Sequence, residues 1–196
     1  MTEEKTRSSL ATLIDTTRTD KHQTGHNYLA TYEKLFAPMR DRAKNVGEIG
    51  IDKGGSIKLW NDYFPNARII GIDIMPKASV WPALLEEKRV ELHTATNAYD
   101  LAFIEKEFRA KGILFDVIID DGPHTLESMH HFIQLYGPLL SDTGILVVED
   151  LQSIDWVDSL KGSVPKELQG CIEVYDLRKI QNRWDDILFV VNKNNK

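Results

Sequence analysis

Ile118-Ile119-Asp120-Asp121-Gly122-Pro123-His124 and, a little further on, Leu146-Val147-Val148-Glu149-Asp150 decide how this chain is read. Each is an apolar run, rich in β-branched residues, that stops abruptly in carboxylates. A run that is apolar on both faces reads as a strand buried in a parallel sheet, here with hard oxygen ligands loaded at its C-terminal tip. Open α/β sheets bind their ligands at that end of the strands.

Outward from these two tips, strand-like runs alternate with helical ones. Residues 45–51, 67–74 and 89–95 read as strands before those at 113–120 and 144–148. Between them, residues 56–63, 75–87, 98–110 and 125–140 carry apolar positions at helical spacing, although Pro76 and Pro82 argue against one continuous helix in the second. Two last runs, 171–175 and 187–191, have no long helix between them and read as an antiparallel hairpin that finishes the sheet. The pattern predicts a single α/β domain with a mostly parallel, seven-stranded sheet. Residues 1–44 precede the sheet as a helical flank or lid, with an amphipathic stretch over 28–42, and residues 45–196 form the core.

Length and charge bound the function. A chain of 196 residues with 42% apolar content buries one core. A net charge of −6, with lysines and arginines scattered, argues against a nucleic-acid binder, which needs a basic surface to displace phosphate counterions. No stretch approaches the roughly 20 apolar residues of a membrane span, and Met1 to Leu10 has no signal-peptide core, so no membrane partner and a cytoplasmic location are expected. The lone Cys171 reads as a small core residue.

The first βα turn is Glu48-Ile49-Gly50-Ile51-Asp52-Lys53-Gly54-Gly55-Ser56. Its glycines let backbone approach a ligand, and the helix that follows offers free N–H groups. The spacing is neither G-x-G-x-x-G nor a P-loop. Glu48 would repel a pyrophosphate and welcome a cationic ligand, a sign that fits S-adenosylmethionine. Asp73, at the end of Gly71-Ile72-Asp73, stands about 20 residues on, where a ribose diol needs an acceptor. A glycine-rich turn that merely packs is the bland alternative.

Neighbouring strands lie about 5 Å apart, so Asp121, Glu149 and Asp150 at adjacent tips can converge on one cation. All-oxygen ligation favours Mg²⁺, or Ca²⁺ or Mn²⁺, over Zn²⁺. His124 is then placed as general base for a hydroxyl that the metal has acidified. The alternative is that Asp121 and Asp150 cap the helices that follow.

On these residues the chain from about Thr19 to Val191 resembles the class I S-adenosylmethionine-dependent methyltransferases, which share a Rossmann-like fold. Within them it resembles the Mg²⁺-dependent macrocin- and mycinamicin-type sugar O-methyltransferases and their cephalosporin-hydroxylase-like relatives. The matching pieces are Thr19-Asp20-Lys21, Gly25-His26-Asn27-Tyr28, Glu48-Ile49-Gly50 through Gly54-Gly55-Ser56, Trp60-x-x-Tyr63-Phe64-Pro65, Gly71-Ile72-Asp73, Asp120-Asp121-Gly122-x-His124 and Glu149-Asp150. The resemblance implies Asp121, Glu149 and Asp150 as metal ligands and His124 as catalytic base. It implies Glu48, Gly50, Ser56 and Asp73 in the cofactor pocket, with Asp121 near both cofactor and metal and Thr19 a further contact. The acceptor it implies is a sugar hydroxyl on a small molecule or glycan, and self-association is common among such enzymes.

The chain departs from that family at two places. Asp52 stands where the family usually has glycine. Thr96-Asn97-Ala98-Tyr99-Asp100 replaces an adenine-contacting segment, in which Asn97 still offers hydrogen bonds and Ala98 offers none. Two other functions are consistent with the residues: a catechol-type O-methyltransferase, and a binding protein that kept the fold and lost tight cofactor affinity. His130, His131 and the four scattered tryptophans read as structural, while His26 and Tyr28 reach a substrate if the N-terminal flank folds over the site.

Overall fold

The structure, a computed structural model, describes residues 8–22 and 25–195. Residues 1–7 of the expected N-terminal flank lie outside the described residues. The strands are β1 (Asn45–Ile49), β2 (Arg68–Ile72), β3 (Val90–His93), β4 (Phe115–Asp120), β5 (Leu140–Val148), β6 (Ile172–Asp176) and β7 (Ile187–Asn192). They form one sheet in the order β3-β2-β1-β4-β5-β7-β6. β1 to β5 are parallel, and β7 runs antiparallel to both β5 and β6, so the C-terminal hairpin closes the sheet as expected. β1 lies between β2 and β4, and that reversal of strand order opens a crevice above its carboxyl end.

The pleat sends neighbouring residues of a strand to opposite faces. Val117 and Ile119 of β4 therefore pack into one core layer and Ile118 into the other. The first layer takes in the helices α1 (Leu10–Leu13), α2 (Leu29–Phe36) and α3 (Gly55–Tyr63). Tyr28, Tyr32, Phe36 and Trp60 are wholly buried there with ring centroids 4.9 to 6.0 Å apart along the chain of contacts. Leu10 and, over residues 28–43, Tyr28, Tyr32, Phe36 and Met39 of the N-terminal flank thus pack as core. The second layer is built from α4 (Leu101–Ile104), α5 (Leu126–Tyr136) and α6 (Trp156–Lys161), with Phe108, Phe132 and Tyr136 against β4 and β5. A last short helix, α7 (Arg178–Gln181), joins β6 to β7.

Two expected helices differ. Residues 75–87 form only 3₁₀ turns, Lys77–Ser79 and Pro82–Glu86, because Pro76 and Pro82 each deny the chain an amide donor. The segment 98–110 starts late, at Leu101, where the Asp100 carboxylate accepts from the Ala102 amide, and then widens into a π-turn over Glu105–Arg109. No helix among the described residues is long and apolar enough to cross a membrane.

Candidate active site

A cavity of about 1090 Å³ opens above the carboxyl ends of β1, β2 and β4. Three strand exits meet there: the Gly50 amide donates to Ile72 O at 3.0 Å, and the Asp121 amide to Ile49 O at 2.9 Å. Gly50 has φ +79°, and a Cβ on it would lie 1.9 Å from the Asp121 carbonyl oxygen, so only glycine allows β1 and β4 to exit so close together. At Gly55, the first residue of α3, a Cβ would lie 2.1 Å from the Arg18 carbonyl. The N-terminal segment crosses the α3 terminus there, and Arg18 stacks on Trp81 at 3.9 Å.

Asp73 holds the glycine loop. Its Oδ2 accepts from the amides of Ile51 (2.7 Å) and Asp52 (3.0 Å), and its Oδ1 from that of Met75 (2.8 Å). Asp52 is thereby pinned with φ +44°, its side chain on the exposed cavity rim. Four lone-pair sites on a carboxylate leave Asp73 able to take one more donor from the cavity.

Beneath the floor lies a cluster of charge. The Lys21 ammonium, 1% exposed, sits 2.5 Å from Glu149 Oε2, 2.6 Å from Asp121 Oδ2 and 3.2 Å from Glu48 Oε1. Burial works against its charge, but the three carboxylates outweigh burial and hold its pKa well above the usual ammonium range. Glu48 also accepts from Ser56 Oγ (2.5 Å) and Trp60 Nε1 (3.1 Å), and Glu149 accepts from the Tyr32 hydroxyl. Burial raises the pKa of Glu48, Glu149 and Asp150. Asp120, capped by the Tyr99 hydroxyl at 2.7 Å, is pushed up by burial to about 7.

Above that layer, ligand atoms of Asp121, His124 and Asp150 lie within 4.8 Å of one another. His124 Nε2 is 3.6 Å from Asp121 Oδ1 and 3.8 Å from Asp150 Oδ2. Asp150 is held in turn by the Tyr28 hydroxyl and by His26 Nδ1 at 3.2 Å, and His26 Nδ1 lies 2.8 Å from the wholly buried Asp186. His124 and Asp150 both sit at positive φ, +52° and +56°, a conformation seldom adopted by residues other than glycine that recurs at functional sites.

Of the residues singled out by sequence, Thr19, Gly50, Ser56, Asp73, Asn97, Asp121, His124 and Asp150 line the cavity. Glu48 and Glu149 do not: both are buried beneath it, their oxygens turned to Lys21 and to neutral donors. The capping alternative fails on geometry, since α5 is capped by Thr125, whose Oγ1 accepts from the Ser128 amide at 3.1 Å, and α6 has Asp155 at its N-cap. Of the flank residues, His26 lines the cavity whereas Tyr28 is wholly buried with its hydroxyl on Asp150. His130 bonds Ser163 and Ser159, tying α5 to the α6 end, as a structural histidine would.

Sequence reasoning gave no role to Lys21, Tyr32, Tyr99 or Asp186. Lys21 meets its partners across 100 and 128 residues of chain, a separation that leaves no periodic trace. Its place beside Thr19 and Asp20 in the quoted motif was the available signal.

No family model matches the chain. Among curated proteins, the chain is 34% identical over 139 residues to an 8-demethyl-8-alpha-L-rhamnosyl tetracenomycin-C 2'-O-methyltransferase of Streptomyces olivaceus, an alignment covering 67% of this chain and 35% of that protein. This chain is a homologue of sugar O-methyltransferases. Mycinamicin VI 2''-O-methyltransferase of Micromonospora griseorubida is 28% identical over 152 residues, 74% of this chain and 36% of that one. The chain therefore spans about a third of the length of the curated relatives it matches. Among solved structures, the mycinamycin-pathway methyltransferase MycE in complex with Mg, SAH and mycinamycin VI superposes with a TM-score of 0.74 at 22% identity, over 95% of this chain and 54% of that one. The fold is the class I, Rossmann-like methyltransferase fold.

Proposed function

We propose that the chain is an S-adenosylmethionine- and Mg²⁺-dependent O-methyltransferase acting on a sugar hydroxyl of a glycosylated small molecule. One observation carries the reading: in a homologue of sugar O-methyltransferases, Asp121, His124 and Asp150 converge at the mouth of a cavity that the glycine loop and Asp73 also line.

The residues present fit both groups. Lys21 supplies one positive charge to a neighbourhood holding Glu48, Asp121, Glu149 and Asp150, and the excess of negative charge favours a divalent cation at Asp121 Oδ1 and Asp150 Oδ2. A large cavity floored by Gly50, with Asp73 free to accept a further hydrogen bond, suits a nucleoside-bearing methyl donor. Bound there, the cation would acidify the acceptor hydroxyl and the sulfonium would supply the methyl group.

The chain's own part is to orient and to move one proton. Asp121 and Asp150 would hold the cation, which when bound would orient the acceptor's oxygens. His124 Nε2, 3.6 Å from Asp121 Oδ1 and 3.8 Å from Asp150 Oδ2, accepts the hydroxyl proton as the oxygen attacks. Tyr28 and His26 keep Asp150 from rotating away. Thr16 to Asp20 line one wall of the cavity.

The test is transfer of a labelled methyl group from S-adenosylmethionine to a rhamnosylated polyketide, with Mg²⁺ and with excess EDTA. Label on the sugar that disappears in EDTA and returns with Mg²⁺ is the expected result. An undiminished rate in EDTA, or transfer to simple catechols and not to glycosides, would overturn the reading.

A further inference from the structure

The hairpin loop between β6 and β7 meets the cavity on the far side of the reacting residues from the glycine loop. In the sheet order, the exits of β1 and β2 carry Gly50 and Asp73, those of β4 and β5 carry Asp121, His124 and Asp150, and β7 lies beyond β5. Because β7 runs antiparallel to β5, the loop that enters it stands at the same end of the sheet as those exits. The Leu151 amide donates to Ile187 O at 3.2 Å, and the Leu177 amide closes the loop on Asp186 O at 2.8 Å. Arg183 and Asp185 of this loop line the cavity. Close polar contacts lead from there to Asp150: Arg183 Nε lies 3.7 Å from Asp186 Oδ1, which is 2.8 Å from His26 Nδ1, itself 3.2 Å from Asp150 Oδ1.

A methyl donor over Gly50 has to face its acceptor across His124 for in-line transfer, so the acceptor comes to lie on the β5–β7 side. We propose that the β6–β7 loop is the acceptor-recognition element: Arg183 and Asp185 grip sugar hydroxyls other than the one methylated, and Trp184, between them in the chain, carries the apolar aglycone that bears the sugar. This rests on the sugar O-methyltransferase function proposed above and names what selects its acceptor. A sugar hydroxyl both donates and accepts, and a guanidinium beside a carboxylate answers both needs. Among the described residues, Arg183 is hydrogen-bonded only through Nε, to Asp185 Oδ1 at 2.9 Å, which leaves the donors on its terminal nitrogens for a ligand. Trp184 is 61% exposed and Ile180 of the same loop 58%, although folding ordinarily buries most of such side chains. An open indole next to two cavity-lining polar residues suits a ligand with a polar sugar and a flat apolar body. His26, Asp185 and Asp186 are also close enough together to hold a cation, but the Arg183 guanidinium already faces both acids and would have to be displaced.

Transfer of a labelled methyl group to two acceptors, a rhamnosylated polyketide and methyl rhamnoside, tests this in the full chain with S-adenosylmethionine and Mg²⁺. Wild type should prefer the polyketide glycoside by kcat/KM. In Trp184→Ala that preference falls roughly five- to tenfold, the contribution of one stacked aromatic contact. In Arg183→Gln, KM rises on both acceptors by roughly tenfold or more, as the loss of charged hydrogen bonds requires, and the preference between them holds. Both variants keep wild-type affinity for S-adenosylhomocysteine in calorimetry, and kcat stays within about threefold, a split that a merely structural role would not give. If Arg183→Gln does not fold, Asp185→Asn, which keeps the side chain's size, must show the same loss on both acceptors. A wild-type enzyme without the preference, an unaltered preference in Trp184→Ala, or a loss in Arg183→Gln that falls on kcat alone overturns the inference and leaves the O-methyltransferase function standing. Wild-type protein that methylates neither acceptor overturns both.

Discussion

Asp73→Asn separates two roles of one carboxylate. The substitution keeps the side chain's size and replaces one acceptor oxygen with an amide donor. Asp73 accepts three backbone bonds, two on Oδ2 from Ile51 and Asp52 and one on Oδ1 from Met75, and the residue is 9% exposed, so water is poorly placed to substitute. However the amide turns, an N–H faces an N–H on one side. The less costly rotamer keeps its oxygen on the Ile51 and Asp52 pair and gives up the Met75 bond. Losing one hydrogen bond to a charged group costs about 1.5–3 kcal/mol, and making the other two neutral takes roughly another 1 kcal/mol together. The sum, about 2.5–4 kcal/mol, should appear in urea unfolding as a lower midpoint at unchanged slope. Calorimetry with S-adenosylhomocysteine should show weakened binding in parallel, because the loop that floors the cavity is no longer held. A variant within about 0.5 kcal/mol of wild type, the range of an ordinary surface substitution, would refute the claim that Asp73 organises the loop.

Three further substitutions probe other parts of the site. Gly50→Ala places a methyl group 1.9 Å from the Asp121 carbonyl at φ +79°, so the chain should unfold at markedly lower urea and lose S-adenosylhomocysteine binding. His124→Asn retains a residue type that accepts φ +52°, so the melting temperature should hold while the methyl-transfer rate falls by roughly 10²–10⁴, the contribution of a positioned base. Arg18→Ala removes the stacking on Trp81, and calorimetry should find weaker S-adenosylhomocysteine binding with a stability loss of about 0.5–1 kcal/mol.

The sheet was legible because its signal is local. Apolar runs that end in Gly50, Asp73, Asp121 and Glu149 mark strand exits, and β1, β2, β4 and β5 stop within a residue or two of them. The same local pattern cannot say which of two adjacent carboxylates faces the ligand. At Asp120-Asp121 and at Glu149-Asp150 the first is turned away from the cavity, against Tyr99 in one case and against Lys21 and Tyr32 in the other, and the second lines it. Which member is turned inward depends on partners distant in the chain, Tyr99 for Asp120 and the flank residues Lys21 and Tyr32 for Glu149, and those meet the strand tips only once the chain has folded. The prolines at 76 and 82 were visible, yet their consequence, a rim of 3₁₀ turns with Leu84 packed under Gly54, required the backbone. The positive φ values at Asp52, His124 and Asp150 fall on residue types that adopt them more readily than most, yet the sequence does not say which of its Asp and His residues do so.

Anomalous diffraction from crystals grown with Mn²⁺ and S-adenosylhomocysteine bears most directly on the whole account. It should place one manganese peak in ligand contact with Asp121 and Asp150, beside His124, with the nucleoside lying over Gly50. No peak at these strand tips while the nucleoside is bound would contradict it.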